Sequence, residues 1–239
     1  MAMRLCTVLA CITAGAALSA DGGSKAQWTD FESRIQYAYY TEDLRALVNL
    51  AALLSAREAS DPWANYYAAF ANYRYLSLAA APRNDAGTAA EKCADAAEHA
   101  APAKETAVEA ETLQAGCLDA LGQLKPVRAA LATPRAKKRL AHALGVAPNN
   151  PRALLLNAAG RQAPEAEKLL LKAIQRFEVE RRSETQGPTW GEADAYLALG
   201  RIRFARGEVL ASRDALERAL LLAPEFAAAR KLLSEITSH

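Results

Sequence analysis

Three histidines, four cysteines and 27 acidic side chains are the groups in this 239-residue chain that could do chemistry or hold a metal. His99, His142 and His239 stand far apart, and none has another His, a Cys or a carboxylate at a metal-ligand spacing. His99 and His142 each fall near the end of a predicted helix, where a cation meets a favourable dipole. Nucleophile elbows, phosphate loops, dinucleotide loops and Cys-x-x-Cys pairs are missing from the sequence. Glu32, Glu42 and Asp43 fall where helix starts prefer acids, so capping accounts for them. The residues therefore nominate no catalytic group, no metal site and no cofactor, and the expected class is non-enzymatic.

Charge and aromatic side chains are distributed unevenly. Between Ala120 and Pro164 there is no acid, against Lys125, Arg128, Arg135, Lys137, Lys138, Arg139, Arg152 and Arg161. Two readings stand: a basic patch for an acidic partner, anionic lipid headgroup or polyanionic glycan, or a solvated helix face balanced by acids from 91–119. The net charge of +2 gives no global attraction to nucleic acid. Eleven of the 16 aromatic residues fall between Trp28 and Tyr75. Trp63, Tyr66, Tyr67, Phe70, Tyr73 and Tyr75 share one predicted helix, more than a single buried face can hold.

The elements that position these side chains follow from composition. The chain is 51% hydrophobic but only 7% aromatic, because 57 residues are alanine. Alanine favours helix and disfavours strand, which argues against a sandwich, a barrel or a parallel-sheet enzyme. Residues 1–19 read as a signal peptide: a positive start at Arg4, an apolar run from Leu5 to Leu18, then small residues and a polar stretch. The run is too short for a comfortable transmembrane helix, and no later stretch is long enough. Cys11 fits a lipoprotein acceptor poorly, since Leu9 and the short apolar run before it are both unfavourable. An exported, periplasmic protein is expected, with Cys93 and Cys117 left in the mature chain. They could form a disulfide in an oxidising compartment. A turn near Pro102 would instead displace them by roughly 9 Å at 1.5 Å per residue, which favours two buried free thiols. Both readings stay open.

Internal repetition is clearest at the carboxyl end. Residues 193–226 contain Tyr196, Leu199, Gly200, Gly207, Ser212, Leu216, Ala219, Leu220 and Pro224. These spacings resemble the tetratricopeptide repeat (TPR), a 34-residue helix–turn–helix. Arg203 stands where the pattern prefers Tyr, and Ser212 where it prefers Ala. Weaker matches lie at Ala136…Leu140…Ala143-Leu144…Pro148, at 151–177 and at 64–76. Segments 28–40 and 42–56 read as another helix pair and 86–124 as a degenerate one. Pro82–Asp85, Pro126–Pro134 and 179–190 read as irregular joints. The resemblance implies an all-α, right-handed TPR-like α-solenoid of antiparallel hairpins over residues 20–239, closed by a capping helix at 225–237.

In TPR arrays the first helix of each hairpin lines a concave groove. Carrying that alignment over puts Asn65, Ala68, Asn72, Tyr75 and Leu76 on the groove, with Asp194, Leu197, Arg201, Phe204 and Ala205 corresponding in the last repeat. Asparagines can hold an extended peptide backbone and tyrosines can stack on its side chains. The expected peptide-binding residues are therefore Asn65, Asn72, Tyr75, Arg201 and Phe204. The opposing expectation is that the aromatics seal the amino-terminal hairpins. The leading functional reading is an exported adaptor or scaffold for a protein or peptide segment, with no nucleic-acid partner. The alternative is a small-solute-binding or scaffold subunit of an envelope transport system, distinguished by a closed pocket in place of an open groove.

Overall fold

A computed structural model describes residues 24–57, 60–78, 85–183 and 187–238. The signal-like segment 1–19, with Cys6 and Cys11, lies outside the described residues, as does most of the Pro82–Asp85 joint. Eleven α-helices and no strands occur among the described residues: α1 (Lys25–Tyr40), α2 (Leu44–Ser55), α3 (Pro62–Leu78), α4 (Ala86–Ala100), α5 (Ala107–Leu124), α6 (Pro126–Val146), α7 (Pro151–Ala159), α8 (Ala163–Arg182), α9 (Glu192–Ala205), α10 (Val209–Leu222) and α11 (Ala227–Thr237). Neighbouring helices pack against one another in chain order, and α1, α3, α5 and α7 also touch in succession. The fold is all-α, a TPR-like α-solenoid.

Local chemistry sets the helix ends. Asp61 accepts from the backbone N–H groups of Trp63 and Ala64, and Pro62 opens α3 where a helix has no need of its N–H. Asn150 and Pro151 open α7 in the same way. Asp43 caps α2 through Ala46 N–H. Glu32 departs from the capping expectation: it lies in the middle of α1 and is buried.

The stretch 86–124 forms a helix pair, α4 and α5, which pack on each other while α4 also meets α3 and α5 meets α6. One boundary differs from the sequence reading. The expected joint at Pro126–Pro134 is helical. Pro126 takes the first helical position without penalty, while Pro134 sits inside α6 and removes one backbone hydrogen bond. Close α5–α6 contact supports α6 through this defect.

The carboxyl-terminal hairpin shows why its spacings are legible. A Cβ on Gly200 would stand 3.0 Å from Leu216 Cδ2, so glycine sets the approach of α9 and α10. Ser212, in place of alanine, donates its hydroxyl to the Gly200 carbonyl at 2.8 Å. Arg203, in place of tyrosine, donates to Glu167 on α8 and to the Ala211 carbonyl. Ala71, Ala143, Ala158, Ala173 and Ala219 are all buried, small residues at helix–helix contacts. No helix among the described residues is long and apolar enough to cross a membrane.

Candidate functional site

The inner face of α1 and α3 is covered by the chain's own link between α8 and α9. Trp190, 1% exposed, stacks on Phe70 with ring centroids 5.0 Å apart and donates its indole N–H to the Tyr66 hydroxyl at 2.8 Å. Thr189 donates its backbone N–H and its hydroxyl to the Glu32 carboxylate at 2.7 and 2.9 Å. Tyr67 donates to the other Glu32 oxygen at 3.0 Å. Arg74 on α3 makes two parallel 2.8 Å bonds to Asp194 at the start of α9. Its guanidinium also lies over the Tyr39, Phe70 and Trp190 rings. The contacts made by Thr189, Trp190 and Asp194 join residues more than 100 positions apart.

The expected groove residues make other contacts. Asn72 is 8% exposed and donates its side-chain amide to the Ala68 carbonyl within α3. Tyr75 is 3% exposed and donates its hydroxyl to Asp85 at 2.6 Å. Asn65 is half-buried and donates to the Asp61 carbonyl. Arg201 is exposed, and Phe204 is half-buried against the carboxyl-terminal core. The five do not gather on one open surface. Cys93 and Cys117, fully buried between α4 and α5, form a disulfide with Cα atoms 5.6 Å apart. The turn between these helices spans 101–106, so it is centred beyond Pro102 and brings the cysteines closer to level than the sequence estimate.

Electrostatics follow burial. Desolvation pushes the Glu32 carboxyl above the usual carboxylate range, opposed by the Thr189 hydrogen bonds, the Arg152 charge and Tyr67. Burial likewise raises the Tyr66 and Tyr67 phenols, and the Tyr73 phenol to about 12. Burial works against the Arg74 and Arg152 charges, but their carboxylate partners outweigh it and hold both guanidiniums above their ordinary value. Arg152 is bracketed by Glu109 at 2.7 Å and Glu180 at 2.9 Å. Much of the basic stretch is paired locally: Lys125 and Arg128 with Glu91, Arg135 with Glu98, and Arg139 with Glu111, which also faces His142 Nδ1 at 2.5 Å.

Beside the filled face lies a cleft of about 340 Å³ where the two ends of the solenoid meet. From α1 it receives Ser33, Gln36, Tyr37 and Tyr40; from the α8–α9 region, Arg181, Thr189, Gly191, Glu192 and Ala193; from the α10–α11 turn, Leu222, Ala223, Pro224 and Glu225. The Tyr40 ring rests on Phe226 at 4.6 Å, and its hydroxyl donates to Gln36. Tyr37 stands 61% exposed. Gly191 turns the chain into α9 at φ 114°, where any Cβ would come within 2.6 Å of Phe177. Arg181 reaches one oxygen of Glu192 at 3.2 Å. Desolvation raises the Glu192 carboxyl, Arg181 lowers it, and the nearby Glu178 charge raises it further. No group of three or more His, Cys, Asp or Glu residues suited to a metal occurs among the described residues.

Sequence reasoning missed Glu32 and this cleft. The available signal was Glu32 itself, an acid flanked by Trp28, Phe31 and Ile35 on the apolar face of α1. The cleft had no local signal, because its walls come from both ends of the chain.

No protein-family model matches the sequence, and no curated protein matches it. Among solved structures the chain is similar to the HusA haemophore from Porphyromonas gingivalis, at a TM-score of 0.61 and 21% identity. That match covers 78% of this chain and 96% of the other, and it shows likeness of fold. A second similar structure is the Cut9–Hcn1 hetero-tetramer of the APC/C, at a TM-score of 0.40 and 15% identity, covering 87% of this chain and 42% of the other.

Proposed function

We propose that this chain is an exported, non-enzymatic TPR-like binding protein of the cell envelope that holds a small molecule in the cleft between α1 and the carboxyl-terminal hairpin. One observation carries the reading. The inner face of α1 and α3 is taken by Thr189, Trp190 and Asp194, while the adjoining cleft of about 340 Å³ stays open. That volume lies near the lower end of the roughly 300–1,000 Å³ typical of small-molecule sites. Periplasmic export is supported by the pattern of residues 1–19 and by the Cys93–Cys117 disulfide, which suits an oxidising compartment.

The solved neighbour is called a haemophore, so haem is one molecule to test. Of the usual haem ligands the cleft offers its iron only the Tyr37 and Tyr40 oxygens, with no His, Cys or Met in the lining. Native mass spectrometry of the mature protein recovered from its own envelope is the direct test. A bound small molecule that disappears in Tyr37→Ala supports the reading. Recovery of the same molecule with Tyr37→Ala, or of a ligand-free chain, overturns it.

The second reading is an adaptor for a protein or peptide segment. It is favoured by apolar side chains on the outer surface: Val127 and Leu131, 96% and 75% exposed, stand one turn apart on α6. A pull-down comparing wild type with Leu131→Asp tests it; equal recovery of a partner by the two proteins removes this surface as the interface.

A further inference from the structure

Apart from the Tyr37 hydroxyl and the remaining N–H groups of Arg181, the side-chain donors of the cleft are already spent, Gln36 Nε2 on Glu32 among them. Ser33 spends its hydroxyl proton on the Thr29 carbonyl, Thr189 spends its own on Glu32, and Tyr40 gives its own to Gln36. Each hydroxyl oxygen keeps accepting capacity. Two carboxylates, Glu192 and Glu225, join them, against the single cation Arg181. Arg181 is itself committed to Glu192 Oε1, and Oε2 has no hydrogen bond among the described residues. The lining thus carries one uncompensated negative charge, a surplus of acceptors and two tyrosine rings three residues apart on α1.

We infer that the cleft recognises an organic ammonium group on an aliphatic stem, with Glu192 and Glu225 supplying charge, Tyr37 and Tyr40 supplying ring faces, and Leu222 and Pro224 packing the stem. This rests on the cleft reading above. An ammonium offers donors and no acceptor, which complements the lining, and a cation is attracted to tyrosine faces. An anionic ligand meets the opposite balance, because two carboxylates face it and Arg181 is already paired. Burial has raised the Glu192 carboxyl even with Arg181 beside it, the condition of an acid that gains from a second cation. The same chemistry arises from a free small amine or from a lysine side chain of a polypeptide.

Isothermal titration of the mature protein separates these cases, using cadaverine, N-acetyl-lysine amide, glucose and haemin as probes. Binding of cadaverine, weakened about tenfold in both Glu192→Gln and Tyr37→Ala, is the expected result for a free amine. Preference for N-acetyl-lysine amide, with the same losses, assigns the site to a lysine side chain. Circular dichroism and urea midpoints matching wild type show that the variants are folded. Binding of glucose or haemin, lost in Tyr37→Ala while neither amine binds, overturns the ammonium assignment and leaves the cleft reading standing. Amine binding unchanged in both variants, or no probe bound by wild type, overturns the inference.

Discussion

Replacing Trp190 with alanine removes the side chain that fills the inner face of α3. The indole is buried against Phe70 and Tyr73, and its N–H is bonded to the buried Tyr66 hydroxyl. Truncating a buried Trp or Phe to Ala costs about 3–5 kcal/mol, through lost transfer energy plus the cavity left behind. Losing the hydrogen bond adds about 1 kcal/mol. The sum, about 4–6 kcal/mol, is a large share of the 5–15 kcal/mol typical of whole-domain stability. Trp190→Phe keeps a ring against Phe70 and drops the N–H, so its expected cost is smaller, about 1–2 kcal/mol. Urea unfolding followed by far-ultraviolet circular dichroism measures both. A Trp190→Ala protein within about 1 kcal/mol of wild type would refute the claim that the link is integral to the core.

Other consequences are equally concrete. Burial raises Glu32 above its unfolded pKa, so the folded state holds the Glu32 proton more tightly. Stability from this group is therefore lost as pH rises through the folded pKa and regained as pH falls towards the ordinary carboxylate range. Wild type should gain on Glu32→Gln between pH 8 and pH 5 in parallel urea titrations; a constant or reversed difference contradicts this. Reducing the Cys93–Cys117 disulfide, which spans 24 positions, should lower stability by about 3–4 kcal/mol on a chain-entropy basis. Thermal melts with and without dithiothreitol, set against a Cys93→Ser/Cys117→Ser double variant that should not respond to reductant, check it. Ser212→Ala, which restores the common residue of the repeat, should destabilise here by about 1 kcal/mol, because the Gly200 carbonyl loses its donor. Stability equal to or above wild type would show that the hydroxyl contributes nothing.

What could be read from sequence divides by the range of the interactions. The 193–226 hairpin was legible because its determinants are local: Gly200 meets Leu216, and the turn at Gly207 and the stop at Pro224 fall within one repeat. The helix starts at Asp61-Pro62 and Asn150-Pro151 rest on equally local contacts. Pro134 misled, because a proline signals a break unless tertiary packing supports the helix around it, as α5 does for α6. The excess of aromatics on α3 was visible, but what faces them was not. Their cover lies some 120 residues downstream: Trp190 in a polar link that reads as an ordinary loop, and Asp194 in the first turn of α9. Glu32 was open to misassignment on the same ground: its donors are the side chain of Gln36, Tyr67 and Thr189, not a helix start.

Tyrosine nitration of the folded protein, read residue by residue by mass spectrometry, tests the account most directly. Tyr37 stands out into solvent at the cleft, whereas Tyr66, Tyr67 and Tyr75 are buried beneath the link or between helices. Rapid modification of Tyr37, slowed by the cleft's ligand, with the other three protected, is the predicted result. Nitration of Tyr66 and Tyr67 as fast as Tyr37 would mean that the inner face of α3 is open, and would contradict the closed arrangement from which the binding site is argued.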